Sequence, residues 1–285
     1  MLSPAHTSQT FEEYENLTAC PVCGSSDFRR AFEPDVAQCA QCLVFFRNPR
    51  PTQPEICRSY DFGSNYAEWQ KDDSKRIRMW KRRFDLLTRF KTGGRLLDVG
   101  AGDGFFLDVA KDGGFSTYGT ELSSTGAGYA DKRGHHLLLG QLKDIDFKGL
   151  KFDVITLWHV LEHLPNPGEA LSIIAGLLEP GGIFALAVPN EENQLFRYRT
   201  GVKKSSNPLG PIVWSKEIHL THFQPSTLRA ALRAHGFEVR DFGVDDIYWD
   251  RSPMNLAKLA MQKSLSALLR WHFSMAMYCV CSRRA

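Results

Sequence analysis

The chain has 285 residues, of which 43% are hydrophobic and 24% charged, and a net charge of +3. These values are typical of a globular protein with one large domain, or one large and one small. No apolar run approaches the ~18 residues that a membrane helix needs. The charge is too balanced to indicate nucleic-acid binding by itself. The N-terminus lacks the basic-then-apolar pattern of a signal peptide, so we expect a cytoplasmic protein.

Four of the seven cysteines form a C-x2-C-x15-C-x2-C pattern: Cys20, Cys23, Cys39 and Cys42. In a reducing compartment, two close pairs favour a metal over disulfides. Each C-x2-C turn directs two thiolates at one point, and two turns complete a tetrahedron around Zn²⁺. Four protein ligands leave no open position, so the predicted zinc is structural. The alternative is that four thiols are simply buried in a core. The predicted module covers residues 17–50.

Residues 51–92 are predicted to form a connector and a helix. Three prolines in 48–55 indicate a rigid connector, and residues 66–91 place apolar side chains at spacings of three and four, which predicts one buried helical face. The basic residues of this helix lie mostly on its other faces. They predict a solvated surface or, as the sharper alternative, a stripe that contacts RNA.

From Arg95 onward, apolar strand patterns alternate with helical ones. The predicted strands are "RLLDVG", "FSTYGTEL", "HHLLLG", "KFDVITL" and "IFALAVPN", followed by "FEVRDFGV" and "MAMYCVCSRR". The alternation predicts an α/β fold in which helices cover both faces of a parallel sheet. Residues 191–217 interrupt the rhythm and are predicted to be a loop-rich insertion, and long loops in compact domains are often functional.

The stretch "LLDVGAGDGFF" places three glycines after a strand and at the start of a helix. Side chains there would keep a ligand from the backbone, and the free N–H groups of a helix start favour a polar or anionic partner. Glu121 ends the next strand, where a carboxylate can accept hydrogen bonds from both hydroxyls of a ribose. Together these residues predict a site for a nucleotide-type cofactor, with a tight turn that binds nothing as the alternative.

The series "LLDVGAGDGFF", "GTEL", "FDVITLWHVLEHLPNP" and "LLEPGG" resembles class I S-adenosylmethionine-dependent methyltransferases. The resemblance implies a Rossmann-like doubly wound sheet with a final antiparallel strand over residues 93–285. It also implies that Asp98 and the glycine loop hold the methionine part of S-adenosyl-L-methionine and that Glu121 holds its ribose. Gln141 and Leu142 would flank the adenine. The remaining implied cofactor residues are Gly100, Ala101, Gly102, Gly104, Leu122, Trp158, His159 and Tyr66.

The four-cysteine module followed by "LVFFRNPRPT" and "SYDFGSNYAEW" resembles bacterial methyltransferases with an N-terminal zinc ribbon, which often modify sugars or other small metabolites. A small-molecule acceptor, such as a sugar or a nucleotide-linked intermediate, is therefore implied. An RNA methyltransferase that grips its substrate with the zinc module and the basic helix is the second hypothesis. The third is a scaffold that binds the cofactor without catalysis.

Methyl transfer to a hydroxyl or an acidic carbon needs a base, and histidine is the usual base near neutral pH. His163 follows the fourth strand, where ligands bind in such sheets. His219 and His222 follow the insertion. We expect His219 to be the base, with His163 and His222 as alternatives. We also expect the insertion to close over the acceptor, with a solvated surface insertion as the alternative.

Overall fold

The computed structural model describes residues 11–32, 34–62, 73–202, 204–210, 213–214, 217–245, 252–269 and 274–284. Tyr66 lies outside these ranges, so its predicted role at the cofactor stays a prediction. None of the helices in the described ranges is long and apolar enough to cross a membrane.

The N-terminal part is built from short strands and two helices. The strands are β1 (Tyr14–Glu15), β2 (Phe28–Phe32), β3 (Val36–Cys39), β4 (Phe45–Arg47) and β5 (Arg50–Pro51). The helices α1 (Gln53–Phe62) and α2 (Asp73–Thr88) follow. Strands β2 and β3 pair antiparallel and form the hairpin between the two cysteine pairs.

The elements of the large sheet then follow in alternation. They are β6 (Gly94–Val99), α3 (Phe105–Asp112), β7 (Phe115–Glu121), α4 (Ser124–Lys132), β8 (Leu138–Leu139), β9 (Phe152–Trp158), α5 (Pro167–Leu177) and β10 (Leu178–Pro189). The chain continues with α6 (Glu192–Arg199), β11 (Val213–Trp214), β12 (Glu217–Ile218), β13 (Thr221–His222), α7 (Pro225–Ala234), β14 (Phe237–Val244), α8 (Pro253–Leu269) and β15 (Ala276–Arg283).

Seven strands form the central sheet in the order β14-β15-β10-β9-β6-β7-β8. The pairs among β10, β9, β6, β7 and β8 are parallel, whereas β15 runs antiparallel to both of its neighbours. Central strands that are covered on both faces are continuous apolar runs, and accordingly Leu96, Leu97, Ile155 and Leu157 are fully buried. The predicted fold, a doubly wound sheet with a final antiparallel strand, is confirmed.

The small sheet around the cysteines contains a strand from the other end of the chain. Its order is β13-β4-β3-β2, and β13 pairs with β4 through Thr221 opposite Phe46 and His222 opposite Phe45. Fully buried Arg47 strengthens this junction, because its guanidinium donates to Asp35 at 2.8 Å, to the Gly210 carbonyl at 2.9 Å and to the His219 carbonyl at 3.4 Å. The segment that carries His219 is therefore held by the cysteine module. The predicted division of the chain at residues 50 and 92 stays a prediction.

The cysteine module also packs against α5. The Gly168 amide donates to the Pro21 carbonyl at 3.1 Å, and a Cβ atom on Gly168 would lie 2.2 Å from the Val22 carbonyl oxygen. His235, directly after α7, donates a 3.0 Å hydrogen bond from Nε2 to the same Val22 oxygen. Since that partner is a carbonyl, Nε2 carries the proton. Both contacts hold the first C-x2-C turn against the large sheet's covering helices.

Two features differ from the sequence-based expectation. The insertion 191–217 begins with a helix, α6, rather than with loop alone. In α2, Arg76 and Arg83 are not on a solvated face, because their exposed fractions are 2% and 6%. The basic character of the helix predicts a solvated surface for both arginines. In the structure each is buried instead, because it pairs with a buried aspartate from another part of the chain.

Candidate functional site

The glycine loop between β6 and α3 has a backbone conformation that favours glycine. Gly100, Gly102 and Gly104 have φ angles of +73°, +58° and +74°, in the left-handed region that L side chains rarely adopt. A Cβ atom on Gly100 would also lie 2.6 Å from a methyl group of Val160. The amides of Gly100 and Ala101 both donate to the Thr120 carbonyl at 2.9 Å, which folds the loop against β7.

Glu121, the last residue of β7, is held rigidly beside this loop. Its Oε2 accepts from the Gly102 amide at 2.7 Å, and its Oε1 accepts from the amides of Leu122 and Ser123, both at 2.8 Å. Only 6% of the residue is exposed, and this burial raises the pKa of the carboxyl group. A carboxylate oxygen can accept two hydrogen bonds. Oε1 is therefore fully used, and Oε2 can accept one more bond, from a ligand hydroxyl.

Asp98, near the end of β6, is the second buried acid of the loop region. The Thr156 hydroxyl donates to its Oδ1 at 2.6 Å, and the residue is 3% exposed. Burial raises the pKa of Asp98 to about 7, despite the hydrogen bond from Thr156, which lowers it. A cationic ligand group at this position would favour the ionised form, as the ammonium of a methionine moiety would do.

A cavity of about 1030 Å³ opens at the carboxyl ends of the central strands, where ligands bind in open α/β sheets. Most of the residues predicted for the cofactor and the base line it: Asp98, Gly100, Ala101, Gly102, Glu121, Leu122, Gln141, Leu142, Trp158, His159, His163 and His219. Helices α1, α2, α5, α6 and α8 also contribute residues to the wall. Gly104 and His222 are not among the lining residues. Gly104 instead faces Ala130 and His135, which lie within 3.1 Å of a Cβ built on it.

The three candidate histidines lie in different surroundings. In the cavity wall, the imidazole nitrogens of His163 and His219 and a carboxylate oxygen of Glu162 all lie within 4.8 Å of one another. His163 Nδ1 donates to the Ile218 carbonyl at 2.5 Å. His222 lies behind this group, where its Nδ1 is 3.3 Å from Glu191, and burial lowers the pKa of His222 to about 4. Of the three, His163 and His219 line the cavity and His222 does not.

Two buried ion pairs join α2 to the site, and sequence reasoning missed both. Arg76 donates to both oxygens of Asp103, at 2.8 and 2.9 Å, directly beside the glycine loop. Arg83 donates to both oxygens of Asp245, at 2.6 and 3.2 Å. Bidentate arginine–carboxylate pairs fix geometry as well as charge. The only sequence signal for them was an excess of arginine in α2, which also fits a solvated face.

The four module cysteines fit a tetrahedral metal. Their sulfur atoms lie within 4.8 Å of one another, with 3.6 Å between Cys20 and Cys42 and 3.5 Å between Cys23 and Cys39. Four sulfurs at Zn–S distances of 2.3 Å in a tetrahedron would be ~3.8 Å apart. The predicted cluster is thus formed, and its dimensions are compatible with zinc.

Comparison with known proteins places this arrangement in a family. The family model described as "Methyltransferase domain" matches residues 69–241, which is more than half of the chain. The chain belongs to this methyltransferase family. The match confirms the family resemblance inferred from the glycine loop and the strands that follow it.

The chain is similar to curated relatives over part of their length, and two of them illustrate this. It is 31% identical over 117 residues to the ubiquinone biosynthesis O-methyltransferase of Burkholderia cenocepacia, covering 36% of this chain and 49% of the relative. It is 28% identical over 162 residues to the enzyme of that name from Marinobacter nauticus, covering 52% and 66%. The chain therefore spans about half to two thirds of the length of these relatives.

Solved structures support the fold of the methyltransferase. An S-adenosylmethionine-dependent methyltransferase from Clostridium acetobutylicum superposes with a TM-score of 0.51 at 11% identity, over 78% of this chain and 100% of that one. The CcbJ methyltransferase from Streptomyces caelestis superposes with a TM-score of 0.52 at 16% identity, over 81% and 96%. At these identities the likeness concerns the fold.

Proposed function

We propose that this protein is an S-adenosylmethionine-dependent methyltransferase that methylates oxygen or carbon of a small molecule. One observation carries the proposal. A single cavity joins the cradle formed by Asp98, the glycine loop and Glu121 to the histidines His163 and His219. The curated relatives are named as O-methyltransferases of ubiquinone biosynthesis, which favours an oxygen acceptor.

The cradle fits the cofactor in its chemistry. Gly100 and Gly102 expose backbone where side chains would block a ligand, and Glu121 offers a rigidly held carboxylate, with Oε2 able to accept a further bond from the ribose. Asp98 would hold the ammonium of the methionine part, while Gln141 and Leu142 would flank the adenine. When bound, S-adenosyl-L-methionine supplies a methyl group activated for displacement. The protein itself must align the acceptor, exclude water and take up the acceptor's proton.

His219 is proposed as the group that takes this proton, with His163 beside it. The ring centroids of the two histidines are 5.0 Å apart, and both rings face the cavity. The acceptor would lie between them and helix α6, whose residues Asn193, Gln194 and Arg197 line the same space. We further propose that Arg197 binds an anionic group of the acceptor, such as a nucleotide-linked phosphate, and that the insertion 191–217 covers it.

The cysteine module is proposed to hold one structural Zn²⁺ through Cys20, Cys23, Cys39 and Cys42.

RNA is a less favoured acceptor, because two arginines of the basic helix α2 are used in buried ion pairs and are not available to phosphates. The buried Arg47 of the module likewise contacts protein groups.

The proposal is tested by measuring how much S-adenosylhomocysteine forms from S-adenosylmethionine in the presence of each member of a panel of acceptors. The panel would contain dihydroxylated aromatic acids, nucleotide sugars and total RNA. We expect turnover with a small molecule, and loss of both turnover and S-adenosylhomocysteine binding in Glu121→Gln. Glu179→Gln is the matched control, because Glu179 pairs with Arg95 on the surface, outside the cavity lining. Calorimetry that finds no binding of S-adenosylmethionine to the folded wild type would refute the proposal.

A further inference from the structure

Glu162 is a buried carboxylate in the cavity wall with unused hydrogen-bonding capacity. It lies in the 3-10 turn Leu161–His163 that follows β9, and 2% of it is exposed. Among the described residues, neither carboxylate oxygen has a hydrogen-bond partner. Burying a charged group without such partners is costly unless nearby charges compensate for it. The surroundings of Glu162 must therefore supply those charges.

Three imidazole rings surround this carboxylate. His159 Nδ1 lies 3.5 Å and His163 Nε2 lies 3.8 Å from Glu162 Oε1, and His219 completes the group. Burial raises the pKa of Glu162, but the charges on His163, His159 and His219 outweigh it, so that this pKa lies below its usual value. Glu162 is thus an anion at neutral pH, and it faces cations or rings that can become cations.

His159 is fixed in place by residues from distant elements. Its Nε2 is 3.0 Å from Asp245 Oδ2. Asp245 in turn accepts hydrogen bonds from Nε and Nη2 of Arg83. Burial lowers the pKa of His159, but the hydrogen bond to Asp245 and the nearby Glu162 carboxylate raise it to about 9. The backbone of His159 has a φ of +56°, a conformation that costs a non-glycine residue energy and is common at functional sites.

The four groups form a line of alternating charge: Arg83, Asp245, His159 and Glu162. Three separate elements supply it, namely α2, the residue after β14, and the end of β9 with its following turn. Such a line stabilises each member through its neighbours, and it presents an anion, Glu162, to the rings of His163 and His219. Tyr60 of α1 packs edge-on against His163, with ring centroids 6.3 Å apart, on the other side.

We propose that Glu162 is the anionic partner of the histidine base: it stabilises the imidazolium that His219 becomes, and Arg83, Asp245 and His159 are positioning residues that hold Glu162. The inference rests on the proposed methyl transfer. In that step the acceptor O–H bond breaks and its proton moves to a ring nitrogen of His219. The oxygen's electron pair forms the bond to the methyl carbon, and the carbon–sulfur bond breaks with its pair left on sulfur. A carboxylate beside a catalytic histidine lowers the energy of the charged ring.

Histidine titration by two-bond ¹H–¹⁵N NMR, with S-adenosylhomocysteine bound, tests the pairing without any acceptor. In Glu162→Gln the pKa of His219 is expected to fall by about 1 unit or more, because an opposite charge within 4.8 Å of a His219 ring nitrogen has been removed. Glu162→Asp keeps the charge and should restore most of the difference. Glu238→Gln is the control, since Glu238 is an exposed acid on β14. An unchanged His219 titration in Glu162→Gln would overturn the proposal.

If the variant does not fold, a chemical-shift measurement on the wild-type protein tests the proposal instead. The ¹³Cδ shift of Glu162 should show a carboxylate at pH 7, and a protonated group there would overturn the proposal. With an acceptor from the panel, Glu162→Gln should lower kcat about 100-fold and leave S-adenosylhomocysteine affinity within about twofold. A requirement for added Mg²⁺ or Mn²⁺ that disappears in Glu162→Gln would also count against it, because the cluster would then serve a cation. Wild-type protein that methylates no acceptor would refute the proposed function, whereas the titration tests the pairing alone.

Discussion

Gly168→Ala is expected to loosen the cysteine module from the large sheet. Gly168 lies in the first turn of α5, and an added Cβ would lie 2.2 Å from the Val22 carbonyl oxygen and 2.9 Å from its carbon. Real contacts of this kind are longer by about 1 Å, and the atoms in the way are backbone rather than the end of a flexible side chain. Val22 is buried between Cys20 and Cys23, so the whole turn must shift. Overpacking of this kind costs about 1–3 kcal/mol.

Gly176→Ala is the matched control in the same helix. A Cβ at Gly176 meets nothing within 4 Å, and replacing a helical glycine by alanine stabilises by about 0.5–1 kcal/mol. The two variants should therefore differ by ~2–4 kcal/mol in the free energy of unfolding, with opposite signs relative to wild type. Thermal and urea unfolding measure the difference, and a chromogenic chelator should remove metal faster from Gly168→Ala. Equal stability of the two variants would show that the Val22 contact does not constrain the module.

Four further predictions concern the cofactor cradle, the pKa of Asp98, the metal and the insertion. Gly102→Val should abolish S-adenosylmethionine binding in folded protein, because valine is strained at a φ of +58° and fills the backbone approach; unchanged affinity by calorimetry would exclude the cradle. In ligand-free protein the raised pKa of Asp98, about 7, means that the folded state keeps a proton that the unfolded state loses above about pH 4. Relative to Asp98→Asn, wild-type stability should therefore fall by up to ~4 kcal/mol between pH 4 and 7 and level off above it; parallel stability–pH curves would contradict this. Elemental analysis should find one zinc per chain, lost when all four module cysteines are changed to serine. Shortening 201–209 should reduce acceptor turnover and leave S-adenosylmethionine affinity nearly intact; full turnover would make the insertion dispensable.

The sequence predicts the central sheet and the cofactor edge because both are encoded locally. Strands such as β6 and β9 are short apolar runs, and the glycines that follow β6 are needed for a backbone conformation within five residues. Glu121 could be placed because it ends the next strand, which is adjacent to β6 in the sheet. Local pattern and tertiary position agree in these elements, so the sequence places Asp98, the glycine loop and Glu121 close together, as they are in the structure.

The acceptor side could not be inferred in the same way, because its contacts join residues that are far apart in the chain. Arg83 and Asp245 are 162 residues apart, and a basic helix predicts a solvated surface as readily as a buried pair. Glu162 has no motif of its own, and its lack of partners is a property of the packed structure. Strand β13 has two residues, too few for any periodicity, so its place in the sheet of the cysteine module had no sequence signal.

That small strand determines which pieces of the molecule could be exchanged with a relative. Residues 221–222 come late in the chain, yet they complete a sheet whose other three strands end by residue 47. A chimera cut at residue 50 would separate β4 from its own β13 and pair it with a foreign one, next to His219. Grafting the cysteine module together with residues 217–224 keeps the pairing, and with it the hydrogen bond from Arg47 to the His219 carbonyl. Within this family, chimeras that exchange the cysteine module and residues 217–224 together should therefore fold better than chimeras with one crossover in the proline-rich connector.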